Sequence, residues 1–387
     1  MMKMKTPLLA TLALAALLLT GCGVTSEVIF PITGATITKQ ENVRVAIKSK
    51  VNSVTVNING AGSYYDQTSG TYMGRFAKVA NAKITVQNGL LAINGQTGQG
   101  KYRSSRIMMI PEEGALINVD GVNYRGQMEF ISNGGTLTVV NHLGMEEYLC
   151  GVVPKETFAS CPKEALMAQA ICSRSYAIAK CDENYQKDFD LTSPGDQLYG
   201  GASAEAPSTT KAVYDTAGSY LEYNGKTLLT FFHTCCGGAT EDGEKIFTYV
   251  RTYPSGVTSP YCKGCKHYEW QYSVSAADLA AKLKAAGYNS GSGAPLQITK
   301  RFKSGRVAEI KIGSAVLTGE QLRKAVGYDV IKSTRFSVSL SGSLYTFKGN
   351  GWGHGVGMCQ WCTKGMADSG IDHEKMLQHF YPDAKLR

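Results

Sequence analysis

The 387-residue chain lacks the short signatures of the commonest catalytic scaffolds. It has no phosphate-cradling P-loop, no HExxH helix, no GxSxG elbow and no GxGxxG dinucleotide turn. NTPase, zincin, serine-hydrolase and Rossmann chemistry are therefore without their usual support. Charge is sparse at 18%, and no dense Lys/Arg stripe occurs, so nucleic acid is a poor partner despite a formal net charge of +9. Beyond residue 22 no stretch is long and apolar enough to span a bilayer. No repeat of 20–50 residues marks a solenoid. What remains is a hydrophobic content of 43% in a chain long enough for two or three compact units, the composition of a soluble globular protein. Glycine (43) and tyrosine (21) are plentiful, which suits many turns and half-buried strands.

The first 22 residues stand apart. Lys3 and Lys5 form a basic start, PLLATLALAALLL is an apolar run, and Leu19-Thr20-Gly21-Cys22 closes the segment. This is the layout of a secretory signal, and the flanking lysines and cysteine make a buried helix the poorer reading. The ending LTGC resembles a bacterial lipobox. Cys22 is then expected to become an acylated N-terminus, with residues 23–40 as a tether to a lipid-anchored, extracytoplasmic chain. Removing the signal deletes two lysines and no acid. The mature chain stays basic and would be drawn to anionic envelope polymers or lipid headgroups.

Ten cysteines remain: Cys150, Cys161, Cys172, Cys181, Cys235, Cys236, Cys262, Cys265, Cys359 and Cys362. An even number in an oxidising compartment reads first as disulfides. Two CxxC pairs, Cys262/Cys265 and Cys359/Cys362, also suit zinc, and Cys235 and Cys236 could join Cys262 and Cys265 in a structural tetrahedral site. Free buried thiols are the third option, and spacing alone does not fix the pairing.

Residues 41–125 read as short alternating strands split by Gly and Asn turns, with Val43, Val45 and Ile47 on one face and Val54, Val56 and Ile58 on another. From Met145 the texture changes. MEEYLCGVV leads into Pro154, and PKEALMAQAICSRSYAIAK is the longest helix candidate, with Pro162 suited to its first position. Its helical-spaced residues are mostly small, so it should pack tightly inside the protein. TLLTFFHT reads as a strand, residues 275–287 as an amphipathic helix, and DHEKMLQHFYP as a closing helix capped by Asp372. The fold class expected is α+β, mostly antiparallel, with a central buried helix and a C-terminal helix, elongated and carrying a groove. The domain of interest would run over 126–387, with an α/β insertion at about 270–345.

Three stretches carry candidate chemistry. In GWGHGVGMCQW, Gly351, Gly353, Gly355 and Gly357 alternate with side chains. An extended strand would then have one bare face, approached closely either by a neighbouring element or by a ligand, with His354 lining a cleft. In HTCCGGATE, His233, Thr240 and Glu241 lie near a strand end, where sites often form, although an ordinary hairpin fits as well. In GVVPKETFASCP, Glu156 follows apolar Val152 and Val153 and precedes Phe158. Partial desolvation there would raise its pKa and let it hold a proton near neutral pH, while Lys155 would work the other way.

These segments resemble the stage II sporulation protein D / amidase-enhancer family of bacterial cell-wall proteins. The matching stretches are YRGQMEF (124–130), residues 137–180, GDQLYGG (195–201), FFHTCCGGATE (231–241), residues 351–370 and the tail HEKMLQHFYPDAKL. The resemblance implies a peptidoglycan-active domain, and no cofactor is expected. Sporulation members are lytic transglycosylases acting on stripped glycan strands, and their catalytic glutamate maps onto Glu156 of VVPKE. The other branch is thought to bind glycan and stimulate a wall amidase. The resemblance also marks Gln169, Arg174, His354 and Gln360 as candidate substrate contacts beside His233 and Thr240. Gln169 and Arg174 lie well round the helix from each other, so one could face the cleft while the other braces the fold. A hydrolase would instead need a second carboxylate, for which Glu147, Asp196, Glu241 and Asp242 are candidates. Cys359 departs from the family's usual serine. The Cys/His zinc cluster of some members has no counterpart in FDLTSPGDQLYGG, which contains neither residue.

Overall fold

The computed structural model describes residues 42–94, 104–290 and 295–387. The expected signal, tether and Cys22 lie outside the described residues. The architecture is α+β with mostly antiparallel sheets. Val43, Val45, Ile47, Val54, Val56 and Ile58 all turn inward and are buried, as their alternation predicts.

Two sheets enclose the first core. The larger runs in the order Leu191–Thr192, Asn42–Val51, Thr136–Gly144, Gln127–Asn133, Arg106–Pro111, Gly62–Asp66 and Thr71–Phe76. The smaller is Leu90–Asn94, Val79–Gln87, Ser53–Ile58, Ile117–Val119 and Val122–Tyr124. Their shared core extends from Val43 to Val213, so residue 125 does not separate two cores. The reason is topological. The first strand pairs with Thr136–Gly144, placing Val43 opposite Leu143, and stitches the N-terminal strands to the segment that follows.

The segment before Glu156 is a helix, Met145–Glu156. Glu146 and Glu147 sit in its first turn, where the helix dipole favours anions, and the Glu147 carboxylate accepts from the Gly144 amide at 3.4 Å. Tyr148, Leu149, Val152 and Val153 fall at helical spacing and are buried. Pro154 lies in the last turn, and Thr157 is extended.

The long helix, Lys163–Asn184, follows at once, with Pro162 as its N-cap rather than its first turn. Ala165, Ala168 and Cys172 are buried, as their small size suggests, and Gln169 is buried with them. One face meets a second core, where Ala168, Ile171 and Cys172 pack with Phe231, Val356, Met358, Phe380 and Tyr381. The closing helix, His373–Phe380, is capped by the Asp372 carboxylate, which accepts from the Lys375 amide at 2.8 Å. Residues 269–350 carry a third core of their own, from Trp270 to Phe347, where two three-stranded sheets meet helices Ala276–Ala285 and Gly319–Val326.

Candidate functional site

Where the first helix ends and the long helix begins, the chain borders a cleft of about 210 Å³. Its walls are Glu156, Thr157, Phe158 and Cys161 on one side. Thr234, Lys266, His267, Trp352, Gln360, Trp361 and Lys364 form the other. Phe158 is 63% exposed at its edge. Glu156 is the sole carboxylate in this lining.

Glu156 is held from both ends. Its carboxylate Oε1 accepts from the Leu198 amide at 2.6 Å, and its carbonyl accepts from Gln360 Nε2 at 2.8 Å. The same Gln360 amide donates to Gln169 Oε1 at 3.1 Å, and Gln169 Nε2 reaches Ser173 Oγ at 3.2 Å. Burial pushes the Glu156 pKa above the ordinary carboxylate range, and the Leu198 amide offsets part of that rise. No ion pair of Glu156 occurs among the described residues; Lys155 instead lays its stem beside Gly200.

Opposite stand aromatic and basic groups. His267 meets Trp352 edge-on at 4.3 Å between ring centroids, Lys332 Nζ lies 5.1 Å from the Trp352 ring centroid, and Lys332 Nζ donates to His267 Nδ1 at 3.2 Å. Burial lowers the His267 pKa, and the charges of Lys332 and Lys266 add to the effect. None of Phe158, Trp352, Trp361, Lys266 and His267 was singled out as a contact from the sequence. The one signal for Trp352 was its place in the glycine-rich motif.

The other candidates part company from the cleft. Gln169 is buried just behind it, touching Gln360. Arg174 braces the fold: its guanidinium pairs with Glu146 and donates to the Ser219 and Val213 carbonyls at 3.0 Å each. Thr240 is buried, its hydroxyl accepting from the Val257 amide at 2.8 Å. His354 does not line the cleft. Its Nδ1 accepts from the Val356 amide at 3.1 Å and its Nε2 donates to the Phe232 carbonyl at 2.9 Å, and burial drives its pKa down to about 3. His233 lies 5.3 Å from it, ring to ring, buried, with Nδ1 donating to the Val356 carbonyl at 3.1 Å. Neither imidazole is part of the cleft lining. Of the acids considered as second carboxylates, Glu147 caps its helix and Asp196 accepts from the Thr192 amide at 2.8 Å. Glu241 binds Ser304 at 2.5 Å, and Asp242 accepts from the Gly256 amide at 2.8 Å. None borders the cleft.

The glycine-rich run is not an extended strand, because all four glycines adopt φ between 66° and 118°. Its close neighbours belong to the protein. A Cβ on Gly355 would lie 2.0 Å from the Arg306 guanidinium carbon, and one on Gly357 would lie 2.1 Å from the Phe231 carbonyl. This contact lets Phe232–His233, which with Thr227 is the strand part of TLLTFFHT, pair in parallel with Met358–Cys359. It thereby sets Trp352 and Gln360 on the cleft wall.

The ten described cysteines are all free, with no disulfide among them. The zinc set Cys235, Cys236, Cys262 and Cys265 is not the one brought together. Cys236 and Cys262 instead meet Cys359 and Cys362, while Cys235 and Cys265 stand outside that four-thiol group. The CxxC pair Cys359/Cys362 enters the group whole, whereas Cys262 joins it without Cys265, because Cys262 sits in the short turn Pro260–Cys262 packed against the helix Gln360–Asp368.

A family model described as "Stage II sporulation protein" matches residues 133–223, which include Glu156, Gln169 and Arg174. An uncharacterized protein of Brachyspira hyodysenteriae is 30% identical over 88% of this chain and 92% of its own length. The chain belongs to the stage II sporulation protein D and amidase-enhancer family. Stage II sporulation protein D of Bacillus subtilis is 29% identical over 64% of this chain and 75% of its own. The Bacillus subtilis amidase enhancer is 26% identical over 84% of this chain, which spans about half (51%) of that protein's length. A domain of unknown function matches residues 257–357, the stretch containing the third core. Family membership gives the chain a cell-wall-related, extracytoplasmic role. No described helix is long and apolar enough to cross a membrane.

Proposed function

We propose that this family member is a lytic transglycosylase that cleaves the bond between N-acetylmuramic acid and N-acetylglucosamine in peptidoglycan strands. The observation that carries the reading is a lone, partly desolvated carboxyl group in a cleft lined by aromatic and basic side chains. Protonated Glu156 donates to the glycosidic oxygen as positive charge develops at the anomeric carbon. The resulting carboxylate takes the proton from the muramic acid 6-hydroxyl, whose oxygen closes on that carbon. The product is a 1,6-anhydro end, no water is added, and Glu156 ends protonated as it began. Hydrolysis of the inverting or retaining kind needs a second carboxylate, and none lines the cleft. Trp352, Trp361 and Phe158 offer apolar faces to pyranose rings. Strands stripped of stem peptides expose the lactyl carboxylate of muramic acid, which suits Lys266, a cation without an ion-pair partner among the described residues. On this reading the chain works from a lipid anchor at Cys22, and loss of fatty-acid labelling in Cys22→Ala tests that part.

The test is to incubate the protein with peptide-stripped glycan strands and weigh the products. Anhydro ends are the expected result, and reducing ends would mean hydrolysis. The second reading is a glycan-binding partner of a wall amidase, favoured by the similarity to an amidase enhancer over 84% of this chain. Strands left intact, with amidase activity raised in the protein's presence, would select it.

A further inference from the structure

We infer that Cys236, Cys262, Cys359 and Cys362 form a tetrathiolate site for a soft divalent cation, with zinc the fitting ion. The four sulfur atoms lie within 4.8 Å of one another. Cys236 Sγ is 3.5 Å from Cys262 Sγ and 3.6 Å from Cys362 Sγ. A tetrahedron with Zn–S bonds of about 2.3 Å has edges of about 3.8 Å, so these separations need only small adjustments around an ion. A disulfide would require about 2.05 Å.

The surroundings are those of bound thiolates. All four residues are fully buried. Backbone amides point at their sulfurs: Cys236 N to Cys359 Sγ at 3.1 Å, Cys362 N to Cys359 Sγ at 3.4 Å, and Gly238 N to Cys236 Sγ at 3.3 Å. Such donors offset the negative charge that four thiolates place on one ion. Arg306 lies alongside, fully buried, its guanidinium donating to the Cys236 carbonyl at 2.9 Å. Its described hydrogen bonds all go to neutral oxygens, so a buried cation stands next to a group that becomes anionic on metal binding.

The ligands come from three separated segments: the end of Phe232–His233, the turn Pro260–Cys262, and the start of the helix Gln360–Asp368, which Cys359 caps. One ion would clamp all three and release the thiol protons as it bound. Because Gln360 follows Cys359 directly, the clamp also fixes the wall that holds the Glu156 carbonyl. The site's role is structural, since four protein ligands leave no open position.

The test is metal analysis of the purified full chain, with a parallel count of alkylatable thiols. About one zinc ion per chain is expected, released by a thiol-modifying mercurial. Cobalt loading of the chain after zinc removal should give the intense thiolate-to-metal absorption and visible bands of a tetrahedral sulfur site. Cys362→Ser should lose the ion, while the double variant Cys235→Ser/Cys265→Ser should keep it. Absence of metal overturns the inference, whether the thiols prove free or joined as disulfides. So does retention of the ion in Cys362→Ser with its loss in the Cys235/Cys265 variant. If the Cys362 variant does not fold, the cobalt spectrum of the unaltered chain still decides. Transglycosylase activity plays no part in any of these readouts, so failure of that reading leaves this one standing.

Discussion

Replacing Glu156 by glutamine preserves side-chain length and keeps an oxygen for the Leu198 amide, now 2.6 Å away. It leaves the Gln360 contact untouched, because that bond goes to the main-chain carbonyl. Only the transferable proton is lost. Positioned general acid–base catalysis contributes about 10²- to 10⁴-fold. At about 1.36 kcal/mol per decade, that is about 2.7–5.4 kcal/mol of transition-state stabilisation. The same group serves twice, so the upper part of the range is expected. The assay is the rate of anhydro-end formation from peptide-stripped strands, followed by mass spectrometry, with strand affinity measured in parallel. Affinity should change little, since no charged partner of the carboxylate is lost. Anhydro ends formed by the glutamine variant at close to the original rate would refute Glu156 as the proton donor.

Three further outcomes follow from the geometry. The raised pKa of Glu156 means the folded state holds this proton more tightly than the unfolded chain does. Its contribution to stability is therefore full below the ordinary carboxylate range and is lost as pH rises through the folded pKa. Melting temperatures should show Glu156→Gln gaining on the parent over that rise, with the gap closing in acid; a constant gap would contradict the desolvation argument. Arg174→Ala should destabilise the fold by about 3–5 kcal/mol in urea unfolding, because it strands Glu146 and two carbonyls. A variant of near-parental stability but without strand binding would instead make Arg174 a substrate contact. Gln360→Ala leaves the buried Gln169 oxygen and the Glu156 carbonyl without their donor, at a cost of about 1–3 kcal/mol. It should also slow anhydro-end formation, and unchanged kinetics would show that Glu156 needs no such support.

The sequence by itself determined the inward faces of the first strands, the long helix of small residues, the Asp372 cap and the candidate acid at 156. The first three rest on spacing within a few residues, which reports backbone conformation and which side chains share a face, whereas the acid rests on its apolar neighbours and on the family resemblance. The tertiary structure decided the rest. A helix with Pro154 in its last turn delivers Glu156 at its end, held by the buried Tyr148, Leu149, Val152 and Val153. Positive φ at four glycines turns His354 from the cleft into backbone hydrogen bonds and leaves Trp352 and Gln360 on the wall. The four thiols come from positions spread between 236 and 362; CxxC spacing paired Cys359 with Cys362, but nothing local joined that pair to Cys236 and Cys262. Contacts between distant segments depend on how separate cores pack together, and no local pattern encodes that.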